Sequence, residues 1–370
     1  MIVRRSLLAA SATLLTVPAA RAEGGSYVVG TLFPMAGPNA EYGTVFTAGA
    51  QMALTHIAED KMLAKPLELR AEDSQGTPQG GATGMTKLAS VDHATYTLVG
   101  FTGVSKAAAP IAQRNGIVMV NGGGVGPDLA GLAPLFWNVI PLIDGEIAAI
   151  LPWMAAKGFK RVALIYVDDP LGNAVVAQLK AGLPGHGGAL VGSFPAAPTA
   201  QQFGPIAAKI RDTDADAIYF ASYGAQQAQI IKQMHDNGLT QPLVTYSAAS
   251  IPSVRNLPEA EGLVFTTQVS DWNATDPVTA RFVKDWRAKY NADPTIYNQN
   301  YYNAVRLFAL LAQGLEKAGK TVDGDALRGE LLRVRRFALV GGEGVFDDKG
   351  DITLPIQIDQ MKSGNPEKIG

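Results

Sequence analysis

The 370-residue chain contains no cysteine. That excludes disulfide staples, which a protein with a core this large does not need, and it excludes a lipid-bearing cysteine near the N-terminus. Histidine is scarce: His56, His93, His186 and His235 stand far apart, and none has metal-ligand spacing to another histidine or to a carboxylate. A charge imbalance is also missing. Lys+Arg number 31 against Asp+Glu 33, a formal net charge of −2, and no basic run follows the first residues, so a nucleic-acid partner is not expected. After the N-terminus there is no apolar run of about 18 residues, the length a membrane-crossing helix requires. Neither a G-x-S-x-G elbow nor a Walker-type glycine loop occurs. Gly122-Gly123-Gly124 is followed by Val125, Gly126 and Pro127 and so does not open a dinucleotide-binding helix. No metal, no cofactor and no catalytic residue is expected, and the chain reads as a non-enzyme.

What is present is apolar material: 47% hydrophobic residues against 17% charged. With this length it predicts two lobes, each with its own core. Met1–Arg5 is short and basic, Ser6–Pro18 is apolar, and Ala20-Arg21-Ala22 has the small-residue form of a cleavage site. A secretory leader cleaved after Ala22 is the expectation, with the ordinary secretory route ahead of a twin-arginine route suggested by Arg4-Arg5. A soluble, monomeric protein of a bacterial periplasm follows.

Strands and helices then alternate. Tyr27–Phe33, Leu67–Ala71, Tyr96–Val99 and Ile117–Val120 read as strands, with helices between them, for example one carrying Phe46, Ala50, Ala53 and Ile57 on one face. The pattern restarts after Asp144. Arg161–Val167 is the clearest buried strand, and Ala217–Ala221 and Leu263–Thr266 are further ones. Pro152 is expected to kink or shorten the helix that carries Ile147, Ile150 and Met154. Beyond Asp276-Pro277 two aromatic stripes predict helices, and short strands at 344–346 and 352–358 close the chain. The fold class is therefore α/β, two Rossmann-like lobes of parallel sheet. The N-terminal lobe is drawn as 25–143 plus 270–336 and the C-terminal lobe as 144–269 plus 337–362. Crossovers are placed near Leu142–Gly145, Thr266–Asp271 and Arg336–Val340.

In open α/β sheets, ligands sit beyond the carboxyl ends of the strands. Five loops there offer suitable groups: Pro34–Gly43, Phe101–Ser105, Gly122–Gly124, Asp168–Gly172 and Ser222–Gly224. Ser105 is read as a helix N-cap beside free backbone amides that suit a carboxylate. Asp168-Asp169 is read as a pair of exposed loop carboxylates in preference to a metal site. Candidate ligand-binding residues are Tyr42, Thr102, Gly103, Ser105, Gly123, Gly124, Asp169, Tyr223, Tyr246, Ser247 and Tyr297.

Several stretches carry a family resemblance: "PMAGPNAEYG" from Pro34, "LVGFTGVSKAAAPIAQRNGIVMVN" from Leu98, "KGFKRVALIYVDDPLGNAV" from Lys157, "DAIYFASYGAQQAQIIKQMHDNGL" from Asp216 and "GVFDDKGD" from Gly344. In this order they resemble the branched-chain amino-acid type of periplasmic binding proteins, the solute receptors of ATP-binding-cassette importers. The resemblance implies a type I fold with three crossovers, hinge closure on a small molecule and delivery to permease subunits in the inner membrane. It places Tyr42, Tyr223 and Tyr297 at or near aromatic positions of the pocket. Gly123 and Gly124 fall at backbone contacts, and Ser105 or Val104 at the serine that holds a ligand carboxylate.

The chain also departs from the family. Val125 replaces a hydroxyl residue, and Leu171 an aromatic one. Gln75 and Gly103 stand at the positions of a disulfide found in some relatives. Ser247, next to Tyr246, occupies the place of the carboxylate that pairs with an amino acid's ammonium. Unless Asp168, Asp169 or Asp271 substitutes, the pocket favours an amide, a urea-like solute or an aromatic or aliphatic carboxylate. The alternatives to transport are a sensor signalling to a membrane receptor kinase and, from another class, a secreted α/β enzyme.

Overall fold

The computed structural model describes residues 25–370, so the expected leader with its cleavage after Ala22 lies outside the described residues. The first sheet is built from β1 (Tyr27–Phe33), β2 (Leu67–Asp73), β3 (Tyr96–Val99), β4 (Val118–Asn121) and β5 (Phe136–Asn138), all parallel, in the order β2-β1-β3-β4-β5. Helices α1 (Ala40–Glu59), α2 (Pro78–Ser90) and α3 (Thr102–Arg114) are its crossovers. β3 and β4 are buried at every residue. Their runs Tyr-Thr-Leu-Val and Val-Met-Val-Asn lack polar alternation because both sheet faces are covered.

The second lobe repeats the design. After α4 (Ile143–Ala156) come β6 (Arg161–Val167), α5 (Pro170–Gly182), β7 (Ala189–Ala196), α6 (Gly204–Arg211), β8 (Ala217–Ala221), α7 (Ala225–Asp236), β9 (Leu243–Thr245), the one-turn α8 (Pro252–Arg255) and β10 (Val264–Gln268). The strand order β7-β6-β8-β9-β10 matches that of the first sheet. The chain then returns through α9 (Pro277–Tyr290), α10 (Ile296–Lys317) and α11 (Gly324–Val334) to the first lobe, where α10 packs against α1. Gly49 makes that approach possible, because a Cβ there would lie 2.2 Å from the Asn298 carbonyl oxygen. Strands β11 (Arg336–Leu339), β12 (Gly342–Phe346) and β13 (Ile352–Thr353) form a small antiparallel sheet. Strands β14 (Ile356–Lys362) and β15 (Asn365–Lys368) extend the second sheet past β10.

Three expectations are corrected. Residues 337–353 pack on the first lobe and not on the second: Asn138 bridges to Asp351, and the Gln299 and Asn303 side chains hold the Val340 carbonyl. The third crossover therefore lies at Leu354-Pro355, between β13 and β14, and not at Arg336–Val340. Of the two effects expected of Pro152, a kink or a shortening, the second does not occur, since α4 runs on to Ala156 with the proline inside it. Finally, α3 begins at Thr102, so Ser105 lies inside the helix, and its amide already donates to Phe101 O at 2.9 Å.

The shared strand order positions the site. In each sheet the chain leaves in opposite directions from the first strand and the third, which opens a crevice at their carboxyl ends. The β1/β3 crevice carries Pro34–Tyr42 and Phe101–Gly103. The β6/β8 crevice carries Asp168–Leu171 and Ser222–Gly224. The lobes meet with these crevices face to face.

Candidate functional site

A cavity of about 160 Å³ lies between the lobes. Its walls are aromatic and apolar: Tyr42, Phe101, Val125 and Tyr297 from the first lobe, and Leu171, Tyr223 and Tyr246 from the second, with prolines 78, 170 and 198 at the edges. The rings lock each other in place. Tyr42 sits edge-on to Phe101 at 5.4 Å and to Tyr297 at 5.5 Å, and Phe101 meets Tyr223 across the lobes at 5.2 Å.

Most hydroxyls in this wall are already engaged and present rings to the cavity. Tyr42 donates to Ala248 O at 3.1 Å and accepts from Gln227 Nε2 at 3.2 Å, while Tyr246 donates to Ser222 O at 2.9 Å. Burial pushes the Tyr42, Tyr246 and Tyr297 phenols upward, so all three stay protonated.

The polar groups left to a solute come from two places. Phe101, with φ of 68°, precedes α3 and offers no side-chain cap. The amides of Thr102, Gly103 and Val104 come before the first intrahelical bond and lack partners within the helix. They form a positive pole suited to an anion, and the Thr102 hydroxyl, which accepts the Gly126 amide at 3.0 Å, keeps its proton free to donate. In the other lobe stands Asp169. Its Oδ1 caps α5 by accepting the Gly172 amide at 2.9 Å, and its Oδ2 accepts the Tyr223 hydroxyl at 2.6 Å. Burial raises its pKa against these bonds, and Asp168 adds a small push in the same direction. Asp169 is the one charged side chain among the lining residues.

The structure brings Tyr42, Thr102, Gly103, Gly123, Gly124, Asp169, Tyr223, Tyr246 and Tyr297 to the cavity and leaves two candidates off its walls. The Ser105 hydroxyl is fully buried without a partner, because the helix starts four residues earlier than the N-cap reading required. Ser247 turns both its amide and its hydroxyl onto Glu146, at 2.9 and 2.7 Å. The glycine amides are likewise committed. Gly124 N–H donates to Asn121 Oδ1 at 2.7 Å and Gly123 N–H to the same oxygen at 3.3 Å. Glycine is needed at 123 because a Cβ would lie 2.8 Å from Phe46 Cζ and 2.9 Å from the Tyr301 hydroxyl. Asp168 is exposed and Asp169 half-buried, which corrects the reading of both as exposed. Among the described residues no cluster of three metal-ligating side chains occurs.

Sequence reasoning missed Glu146, Glu41, Gln227 and Phe101. Glu146 had a signal, since it shares the buried face of α4 with Ile143, Ile147 and Ile150. Glu41 reaches across the cleft and accepts the Ser253 amide at 2.8 Å together with the Ser253 hydroxyl.

With this geometry in view, comparisons assign the chain. A family model described as periplasmic binding protein matches residues 26–366, and the chain belongs to that family. It is 26% identical to the Leu/Ile/Val-binding protein BraC3 of Rhizobium johnstonii, with 92% of each chain covered. It is 25% identical to Leu/Ile/Val-binding protein homolog 3 of Brucella melitensis, covering 94% of this chain and 95% of that one. In fold it is similar to a leucine-binding protein of Thermotoga maritima (TM-score 0.85, 21% identity, 93% of this chain and 98% of that one). It is likewise similar to a Rhodopseudomonas palustris solute-binding protein solved with benzoate (TM-score 0.83, 20% identity, 94% and 96%).

Proposed function

We propose that this protein is the periplasmic solute-capturing component of an ATP-binding-cassette importer, closing its lobes on one small organic acid and passing it unchanged to a membrane permease. The observation that carries the reading is the pairing of opposite poles in one aromatic cavity: unpartnered amides at the start of α3 on one lobe and the Asp169 carboxyl on the other. An anionic group is favoured at the helix start by up to about 2 kcal/mol in a partly buried setting. A donor on the same solute, ammonium or hydroxyl, satisfies Asp169, so a solute with both ends adds no uncompensated charge. The body between them is apolar and ring-sized, on the scale at which a cavity of roughly 150 Å³ accepts benzene.

This reading revises the weight placed on Ser247. The carboxylate absent there is available at Asp169, which returns amino acids to the candidates beside hydroxylated aromatic acids. The relatives' names agree with that range, since they include leucine, isoleucine and valine binders and a benzoate complex. Titration calorimetry of the chain without its leader tests it, against isoleucine, its hydroxy acid and its bare acid, and against 4-hydroxybenzoate and benzoate. Binding is expected for a donor-bearing acid, weakened at least tenfold when the donor is removed. Equal affinity for acids with and without the donor contradicts the role of Asp169.

A further inference from the structure

A carboxylate in a protein interior needs a cation or a set of donors, and Glu146 has only donors. It lies in the first turn of α4, directly after the first crossover, with its side chain enclosed. Oε2 accepts the Ser247 amide at 2.9 Å and the Thr266 hydroxyl at 2.7 Å, and Oε1 accepts the Ser247 hydroxyl at 2.7 Å. The other titratable groups that face it are the phenols of Tyr219 and Tyr297; no cation is among them. The Tyr219 hydroxyl is buried without a partner. Glu146 thus ties the start of α4 to the wall segment around Ser247 and to β10, just before the second crossover. Tyr246 and Ala248, on either side of Ser247, line the cavity, and so does Tyr297 of the opposite lobe, whose buried phenol lies within electrostatic reach of Glu146.

We propose that Glu146 is a positioning residue of the solute cavity: acting through Ser247, it holds the wall segment Tyr246–Ala248 in place and sets a negative pole behind that wall, on the side of Tyr297. The proposal rests on reading the cavity as the solute site. Its consequence is selectivity for solutes that turn a donor or a positive charge toward the Tyr297 side. Burial lifts the Glu146 carboxyl to about 7 against its three hydrogen bonds. Raising the pH through 7 therefore ionises it, which strengthens the hold on an ammonium-bearing solute and leaves a solute without positive charge unaided.

Two measurements on the chain without its leader test this with Glu146→Gln, which keeps the side-chain volume, and Glu146→Ala. The first is hydrogen exchange of the solute-free proteins over Tyr246–Ser250. Opening at least tenfold faster in both variants is expected, and unchanged protection in Glu146→Ala overturns the proposal. If Glu146→Ala does not fold, unchanged protection in Glu146→Gln overturns it. The second is titration with isoleucine and with 4-hydroxybenzoate from pH 5.5 to 8.5. Isoleucine affinity is expected to rise at least fivefold across pH 7 in the natural protein and to stay level in Glu146→Gln, whereas an equal rise in both overturns the proposal. If neither probe binds, the solute reading of the cavity loses its support while exchange still decides the role of Glu146.

Discussion

Closure of the two lobes is stabilised by a contact whose removal has a calculable effect. Glu41, in the first turn of α1, accepts both the amide and the hydroxyl of Ser253 at the start of α8, and the two residues belong to different lobes. Hydrogen bonds to a charged group contribute about 1.5–3 kcal/mol when buried. Glu41 is half-buried, so solvent screening lowers the expectation to roughly 1–2 kcal/mol for the pair. All of it is lost when the lobes part, because no contact within the first lobe replaces it. Glu41→Ala therefore raises the free energy of the closed state without touching the cavity wall, and the apparent dissociation constant of any captured solute rises about five- to thirtyfold. Glu41→Gln, which keeps one acceptor, falls between. Calorimetry with the best solute of the panel reads the affinity. Small-angle scattering of the solute-free protein reads the shift toward an open, longer particle. Unchanged affinity and an unchanged scattering profile in Glu41→Ala would refute the latch.

Four further outcomes follow from the same geometry. Tyr42→Phe removes two hydrogen bonds across the lobes, the one donated to Ala248 O and the one accepted from Gln227 Nε2, while Gln227 Nε2 stays satisfied by its own bond to Ala248 O at 3.0 Å. A loss of about 1 kcal/mol, or fivefold in affinity, is expected by calorimetry. Asp169→Asn weakens an ammonium-bearing solute at least tenfold and a hydroxylated one less, so titrating the pair separates the two classes. Gly49→Ala pushes a methyl group against the Asn298 carbonyl and costs roughly 2–3 kcal/mol, seen as a lower denaturant midpoint without altered affinity. The folded pKa of Glu146 is raised from 4.5 to about 7, so its stabilising contribution is complete below pH 4.5 and is lost as pH rises through 7. Denaturation at pH 5 and pH 8 is expected to show the natural protein losing on the order of 3 kcal/mol more than Glu146→Gln.

The fold was largely legible because its signals are local. Unbroken apolar runs such as Arg161–Val167 announce buried parallel strands, and two repeats of the alternation announce two sheets. The crossover after β13 was not legible, since Asn138 and Asp351 meet across 213 positions and no periodicity marks the short strands between them. In the site, loops at strand ends were readable as loops, but side-chain direction was not. Ser105 was misread because Phe101 takes a positive φ and starts the helix early, a backbone choice that a phenylalanine does not advertise. The glycines at 123 and 124 did mark close approach, although what approaches is Phe46, Tyr301 and the α3 backbone. Asp169 appeared as one of two loop carboxylates, and only its place as the cap of α5 turns it into the cavity.

On the proposed reading, the paired poles of the cleft capture one small organic acid and leave it unaltered. Titration of residues 25–370, followed by recovery and mass analysis of the bound solute, is the decisive measurement. One solute per chain is expected, an acid bearing an amino or hydroxyl donor, recovered chemically intact. Recovery of a converted product, or binding that ignores both the acid and the donor, would contradict it.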